Sequence, residues 1–175
     1  MATNNSTADL FGLLDKSAVT KAVNSLKTIV SNVKKLDNSL TELSKVSSLS
    51  AKDLETLTKK AYALGKTVGK TGSEVLDAAA VFIRAGFDME RALNLTKEAL
   101  KMTNIAKGID DASVSAQYLI SIMKGYGDTS DTFAAKILDS VNEISNTQNI
   151  DFQVLIDGAK ELSGAASEAG ISFEQ

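Results

Sequence analysis

The clearest pattern in the chain is an unbroken alternation of three- and four-residue steps between apolar positions in residues 16–46. Such a heptad repeat predicts a long helix whose apolar edge packs along another helix as a left-handed coiled coil. At 1.5 Å per residue, the helix would be roughly 45 Å long. Positions a of the repeat are Val19, Leu26, Val33 and Leu40, and positions d are Ala22, Ile29, Leu36 and Leu43. We call these eight residues the heptad seam.

Two kinds of partner fit the heptad seam. The helix can fold back on its own chain as an ordinary amphipathic helix, or it can pair with a helix from another molecule. The regularity of the repeat favours a partner helix, most simply from another copy of the chain. The sequence therefore predicts that the seam is an oligomer interface. The lysines outside it are expected to form a solvated face; they are Lys21, Lys27, Lys34, Lys35 and Lys45.

A second pattern recurs from residue 62 onward: a Gly or Asn, one apolar residue, then an Asp or Ser. Gly and Asn end helices because they adopt the left-handed conformation, and Asp and Ser start helices because they accept hydrogen bonds from free N–H groups. The apolar residue between them can act as a staple. The pattern occurs at Gly86-Phe87-Asp88, Gly108-Ile109-Asp110, Asn149-Ile150-Asp151 and Gly170-Ile171-Ser172, and in longer form at Gly125-Tyr126-Gly127-Asp128.

These joints predict an all-α fold, in which the long helix is followed by an array of short antiparallel helices joined by tight turns. Capping boxes at Ser50/Asp53 and Thr71/Glu74 predict two helix starts. Later helices are expected at about 89–107, 111–124 and 130–147, and after residue 151. The last of them runs through the apolar residues Val154, Leu155, Ala159 and Leu162.

The heptad repeat and the helix joints together divide the chain into three parts. Residues 1–15 are predicted to be a flexible N-terminus, residues 16–46 the coiled-coil helix, and residues 50–175 a helical domain. The N-terminal part contains an apolar cluster that could dock on a partner or cap the bundle, formed by Leu10, Phe11, Leu13 and Leu14.

The amino-acid composition limits the kinds of catalysis and metal binding that the chain's own residues can support. The chain has no Pro, so nothing of that kind interrupts its helices. It has no Cys and no His, which excludes thiolate nucleophiles, Cys/His zinc sites and imidazole catalysis from its own residues. An enzyme would need a carboxylate or Lys site that the sequence does not display. We therefore expect no catalytic residue, no metal and no cofactor. The net charge of −3 also weighs against nucleic acid as a partner.

Two sets of residues resemble binding motifs without matching them. The segment 65–71 contains Gly-Lys-Thr twice, but the Walker A pattern needs a Gly four residues before its Gly-Lys pair. Leu64 and Lys60 occupy those positions, so the segment is predicted to be a loop that binds no nucleotide. The acidic pairs at Asp110-Asp111 and 128–131 lack the spacing of a calcium loop and are expected to cap helices.

Neither the N-terminus nor the apolar run near the middle of the chain suggests membrane targeting. Residues 1–7 are polar and carry no basic residue, unlike a secretory signal. The longest apolar run near the middle, from Ala78 to Ile83, is far shorter than a membrane span. We therefore expect no membrane partner for residues 1–175.

The last residues, from Ser172 to Gln175, resemble the start of another helix, so the chain is expected to be the front part of a longer protein.

The ordered series of helices and turns resembles phage tail tape measure proteins. The likeness covers about residues 50–175 and rests on the series as a whole, because no single segment is specific. The segments that carry it are Thr71–Ala78, Arg84–Leu93, Ala99–Ala106, Asp139–Thr147 and Ala165–Ser172.

This resemblance implies a structural function. In such proteins several copies lie in the lumen of the tail tube, set tube length during polymerisation, and leave before DNA passes. It implies other copies of the chain, the tail tube and the tail tip or baseplate as partners. It also implies the virion tail as the location, after assembly in the bacterial cytoplasm. The alternative is a helical scaffold or interaction module of a secreted effector or a secretion system.

Overall fold

The computed structural model describes residues 16–173, and every regular element in that range is an α-helix. The all-α fold class is therefore confirmed. The described residues divide into two units, 16–38 and 39–173, and the division falls inside the first helix. The seven helices are α1 (Lys16–Val46), α2 (Ala51–Val68), α3 (Gly72–Arg84), α4 (Met89–Ile105), α5 (Ala112–Tyr126), α6 (Asp131–Gln148) and α7 (Phe152–Glu168). The apolar cluster expected in residues 10–14 lies outside the described residues.

Local capping explains where α2 and α3 begin. Ser50 and Asp53 form a reciprocal capping box at the start of α2, and Thr71 and Glu74 form another at the start of α3. Each box satisfies N–H groups that the first turn leaves without a helical partner. The carboxylate of Asp53 accepts hydrogen bonds from the Ser50 side chain and backbone, and these lower its pKa. Both predicted capping boxes are confirmed.

The helix ends follow the joints with three differences. A left-handed backbone is found at Gly69, Gly86, Gly108, Gly127, Asn149 and Gly170. The residue that caps α5 is Asp111 rather than Asp110, because its side chain accepts from the Ser113 N–H at 2.7 Å. Ser130, not Asp128, caps α6, and Gly125 lies inside α5 rather than in the turn after it.

The intervening apolar residues do not behave alike. Ile109 is buried in the core, and Phe87 packs against its edge. Ile150 and Ile171 are exposed, so they do not staple their turns to the core. After Gly170, the described chain ends with Phe173, whose ring packs edge-on against Tyr126 and Phe133 with centroids 5.6 and 5.5 Å away. Phe173 therefore ties the end of the described chain to α5 and α6.

The core of unit 39–173 is centred on α5, which packs against α3, α4, α6 and α7. Ala-rich surfaces let these helices approach closely, and larger side chains fill the space between them. α2 covers α3 and α4 on one side and contributes Leu57 and Ala61. The large side chains that are fully buried in the central cluster are Phe82, Leu95, Met102, Leu119, Ile122, Met123, Ile137 and Ile156.

Of the apolar residues expected along α7, Leu155 and Ala159 pack against the core, and Val154 and Leu162 do not. Phe152, Ile156 and Ser163 are buried, whereas Val154 and Leu162 are each 63 % exposed. Gly125 of α5 lies in close contact with Ser163, and the backbones of the two helices approach each other at this point. Val154 and Leu162 therefore lie on the surface of the protein, although both are apolar.

Candidate interaction surface

The heptad seam is exposed over most of its length. Every residue whose burial is described from Ser17 to Lys35 is exposed, and Leu26 and Val33 are 62 % and 58 % accessible. Val19, Ala22 and Ile29 share this environment. Large apolar side chains held in water on one helical stripe provide a strong hydrophobic drive to associate, about 25 cal/mol per Å² buried.

The C-terminal end of the seam is different. Leu36 and Leu40 are partly buried, and Leu43 is fully buried within the protein. Leu43 is therefore already covered inside the chain and is not available to a partner in this structure. The exposed part of the seam consists of its first five members, up to Val33.

Two further residues belong to this surface. Val23 and Val30 each follow a position a by four residues, and they are 43 % and 54 % exposed. Residues four apart are neighbours on a helix, so they widen the apolar stripe beyond positions a and d. The sequence contains this signal, but a reading restricted to a and d positions misses it. We call residues Val19, Ala22, Val23, Leu26, Ile29, Val30 and Val33 the α1 stripe.

The charge beside the α1 stripe is of one sign. Residues 16–36 contain five lysines and no acidic residue. Lys27 and Lys34 lie four residues after Val23 and Val30, so they border the stripe on the same side of the helix. Neither forms an ion pair within the part of the chain that the structure describes. The stripe therefore presents an apolar surface with a basic edge.

A second exposed apolar surface lies on α7, opposite its core-facing side. One face of the helix is formed by Val154, Gly158, Leu162, Ala165 and the C-cap residue Ala169, which follow one another at steps of four, four, three and four residues. Gly158 is partly buried, and the other four are exposed. We call these five residues the α7 face. It is bordered by an acidic row, because Glu161 and Glu168 are each three residues after a small member of the face.

A cluster of polar side chains joins α5 to α7. The Tyr118 hydroxyl donates to Asp157 Oδ1 at 2.7 Å, and Gln153 Nε2 donates to the Tyr118 oxygen and to Asp157 Oδ2. Hydrogen bonds from Gln153 and Tyr118 lower the pKa of Asp157, and the bond to Asp157 raises the pKa of Tyr118. Lys160 Nζ lies 5.3 Å from the centre of the Tyr118 ring. All these groups satisfy one another, so the cluster holds α7 in place.

The Gly65–Thr71 segment is mostly helical. α2 continues to Val68, so only the last three residues form the predicted loop. Gly65 is buried, and a Cβ at its position would lie only 2.5 Å from the Lys70 backbone oxygen. Lys70 N donates to Gly65 O at 2.9 Å. These backbone groups bond to one another rather than forming an open ring of N–H donors, which a phosphate site requires.

Residues 16–173 contain neither a metal-binding cluster nor a membrane-spanning helix. Within that range, no cluster of three or more acidic side chains is arranged to hold a metal ion. None of the described helices combines the length and the apolar character needed to cross a bilayer. The α1 stripe and the α7 face are therefore the surfaces that we consider for function.

Comparison with known proteins identifies a family. The sequence model of the family of phage-related minor tail proteins matches residues 58–175, which is well over half of the chain. The match includes α3 to α7 and most of α2. No solved structure matches the chain.

Proposed function

The chain belongs to the family of phage-related minor tail proteins, and from that premise we propose that it is a tail tape measure protein. Family membership supports a structural role in a phage tail. The narrower proposal is that copies of this chain lie in the lumen of the tail tube, set its length during assembly and leave before the genome passes. The cytoplasm of the bacterial host is then the place of assembly.

The observation that carries the proposal is the exposed stripe on a long helix. A protein that sets a length needs a segment whose extent is proportional to its residue count, and an α-helix extends by about 1.5 Å per residue. α1 has 31 residues, and its apolar stripe is uncovered over about its first 20. Covering a stripe of this kind with a partner is favourable, because it removes apolar surface from water.

The proposed partners are other copies of the chain through the heptad seam, the tail tube, and the tail tip or baseplate. The proposed role requires no catalysis, cofactor, nucleic acid or membrane. The coiled-coil character of α1 is part of this proposal, since it depends on what covers the stripe.

We predict that the α1 stripe drives self-association. Replacing Leu26 and Val33 with Asp would place charges in an apolar contact, where burial of an unpaired carboxylate is costly. The double variant should sediment as a smaller species than the unaltered chain. Its helical content by circular dichroism should be nearly unchanged, because both side chains are exposed in the single chain.

The matched control places the same two charges on the opposite side of α1. Asn24 and Ser31 are exposed and lie at position f, away from the stripe. The Asn24→Asp/Ser31→Asp variant should retain much more association than the Leu26→Asp/Val33→Asp variant, because its carboxylates can only reduce the charge of Lys27 and Lys34, three residues away. An unaltered chain that stays monomeric at high concentration, or equal weakening by both pairs, would contradict a role for the stripe.

We also predict that the protein is shielded in finished tails. A peptide tag inserted between Gly127 and Asp128, which are both exposed in a turn, should resist protease in intact tails, because the tube wall excludes the enzyme. The same tag should be cut in tails opened by denaturant. After triggered genome ejection, the protein should be missing from the tails. Cleavage of the tag in intact tails would place the protein outside the lumen and favour the scaffold alternative.

A further inference from the structure

We infer that the α1 stripe of one copy binds the α7 face of a second copy, so that copies associate head to tail. The inference rests on the proposed self-association and names the surface that receives α1. It is carried by the charge beside the two surfaces and by the shape of their apolar residues.

Pairing of α1 with an identical α1 is electrostatically unfavourable. Residues 16–36, which include the whole α1 stripe, bring five positive charges from each copy, and the two acids of α1, Asp37 and Glu42, lie beyond the stripe. The residues at position g in this region are Ala18, Ser25 and Asn32, so no acid is available where coiled coils usually place interhelical ion pairs. Copies aligned through α1 alone would therefore repel one another at low salt.

The α7 face has the opposite charge at a matching spacing. Lys27 and Lys34 are seven residues apart, and so are Glu161 and Glu168. Seven helical residues span about 10.5 Å, so two nearly aligned helices can bring both pairs together at once. Neither glutamate has an ion-pair partner within the described residues. All four charges are thus available for contacts between copies.

The apolar parts of the two surfaces also complement each other. The α1 stripe consists mainly of bulky residues, such as Leu26 and Ile29, whereas the α7 face places Gly158 and Ala165 beside its two larger side chains. Small residues leave recesses into which large side chains of a second helix can fit. Leu162 and Val154, each 63 % exposed, would be covered by the same contact.

This arrangement uses two different surfaces of each copy. Every chain carries one α1 stripe and one α7 face, so each copy can bind one neighbour and be bound by another. A contact between unlike surfaces produces a ring if its rotation closes and an open chain if it does not. The inference therefore predicts a ring or an open chain of copies, rather than a bundle in which identical α1 helices pack together.

Charge exchange in the full chain tests the inference. The Lys27→Glu/Lys34→Glu variant and the Glu161→Lys/Glu168→Lys variant should each weaken self-association about tenfold in sedimentation, because two ion pairs become like-charge contacts. The variant with all four substitutions should recover most of the lost affinity. Added salt should weaken association of the unaltered chain.

The control and the opposing outcomes separate this inference from the proposed function. Asp77→Lys/Asp110→Lys changes two exposed acids away from α7 and should leave association unchanged. If the chain associates but the Glu161/Glu168 variant behaves like the unaltered protein, or if salt strengthens association, the α7 assignment is wrong while self-association stands. A monomeric unaltered chain would overturn both. Circular dichroism checks that each variant is folded.

Discussion

Replacing Gly125 with Ala should lower the free energy of unfolding by about 1–3 kcal/mol, the cost typical of overpacking a close contact. A Cβ at this position would lie 2.1 Å from Ser163 Oγ and 2.5 Å from Ser163 Cβ. Rotating the hydroxyl relieves only the first contact, so α5 and α7 would have to move apart. The loss should exceed the gain in helix propensity, and the melting temperature should fall by about 2–4 °C per kcal/mol.

Two variants make this test specific. Gly164 is also helical, but a Cβ there meets nothing within 4 Å. Gly164→Ala should therefore raise the melting temperature slightly, through helix propensity alone. Adding Ser163→Gly to Gly125→Ala removes the clashing Cβ and should restore part of the lost stability. A Gly125→Ala protein as stable as Gly164→Ala would show that α5 and α7 are not in this close contact.

The sequence was sufficient for features that depend on neighbouring residues. The capping boxes of α2 and α3 were predictable because Ser50/Asp53 and Thr71/Glu74 carry their own hydrogen-bond partners three residues away. The absence of Pro and the series of Gly and Asn residues were enough for the all-α class. The choice between adjacent acids was not predictable, since Asp110 and Asp111 are chemically equivalent and only the turn geometry selects the second.

Features that depend on distant residues could not be predicted in the same way. Nothing near Gly125 in the sequence indicates its contact with Ser163, which lies on the buried side of α7. The sequence alone could not separate Val154 and Leu162, which are exposed, from Leu155 and Ala159, which pack against the core. Leu43 continues the heptad repeat without interruption, although it is buried inside the protein. The width of the α1 stripe, in contrast, could be predicted from the sequence, because Val23 and Val30 each follow a position a of the repeat by four residues.

Changing the length of the helical segment should change the length of the tail. Residues 20–33 form two heptads of α1, so duplicating this block preserves the register of the repeat while adding 14 helical residues. Each added block should lengthen the tail by about 21 Å if the helix lies along the tube. Deleting the block should shorten the tail by the same amount. The Asn24→Asp/Ser31→Asp variant, which alters charge but not length, should leave tail length unchanged.

The most direct test of the tape-measure proposal is electron microscopy of tails assembled with one, two and three inserted blocks in the gene that encodes this chain. Averaged over many particles, the mean length should rise in proportion to the number of inserted residues, by about 1.5 Å for each. Tails that still assemble but keep the same length throughout the series would contradict the proposal, and a role as a helical scaffold would then account better for the protein.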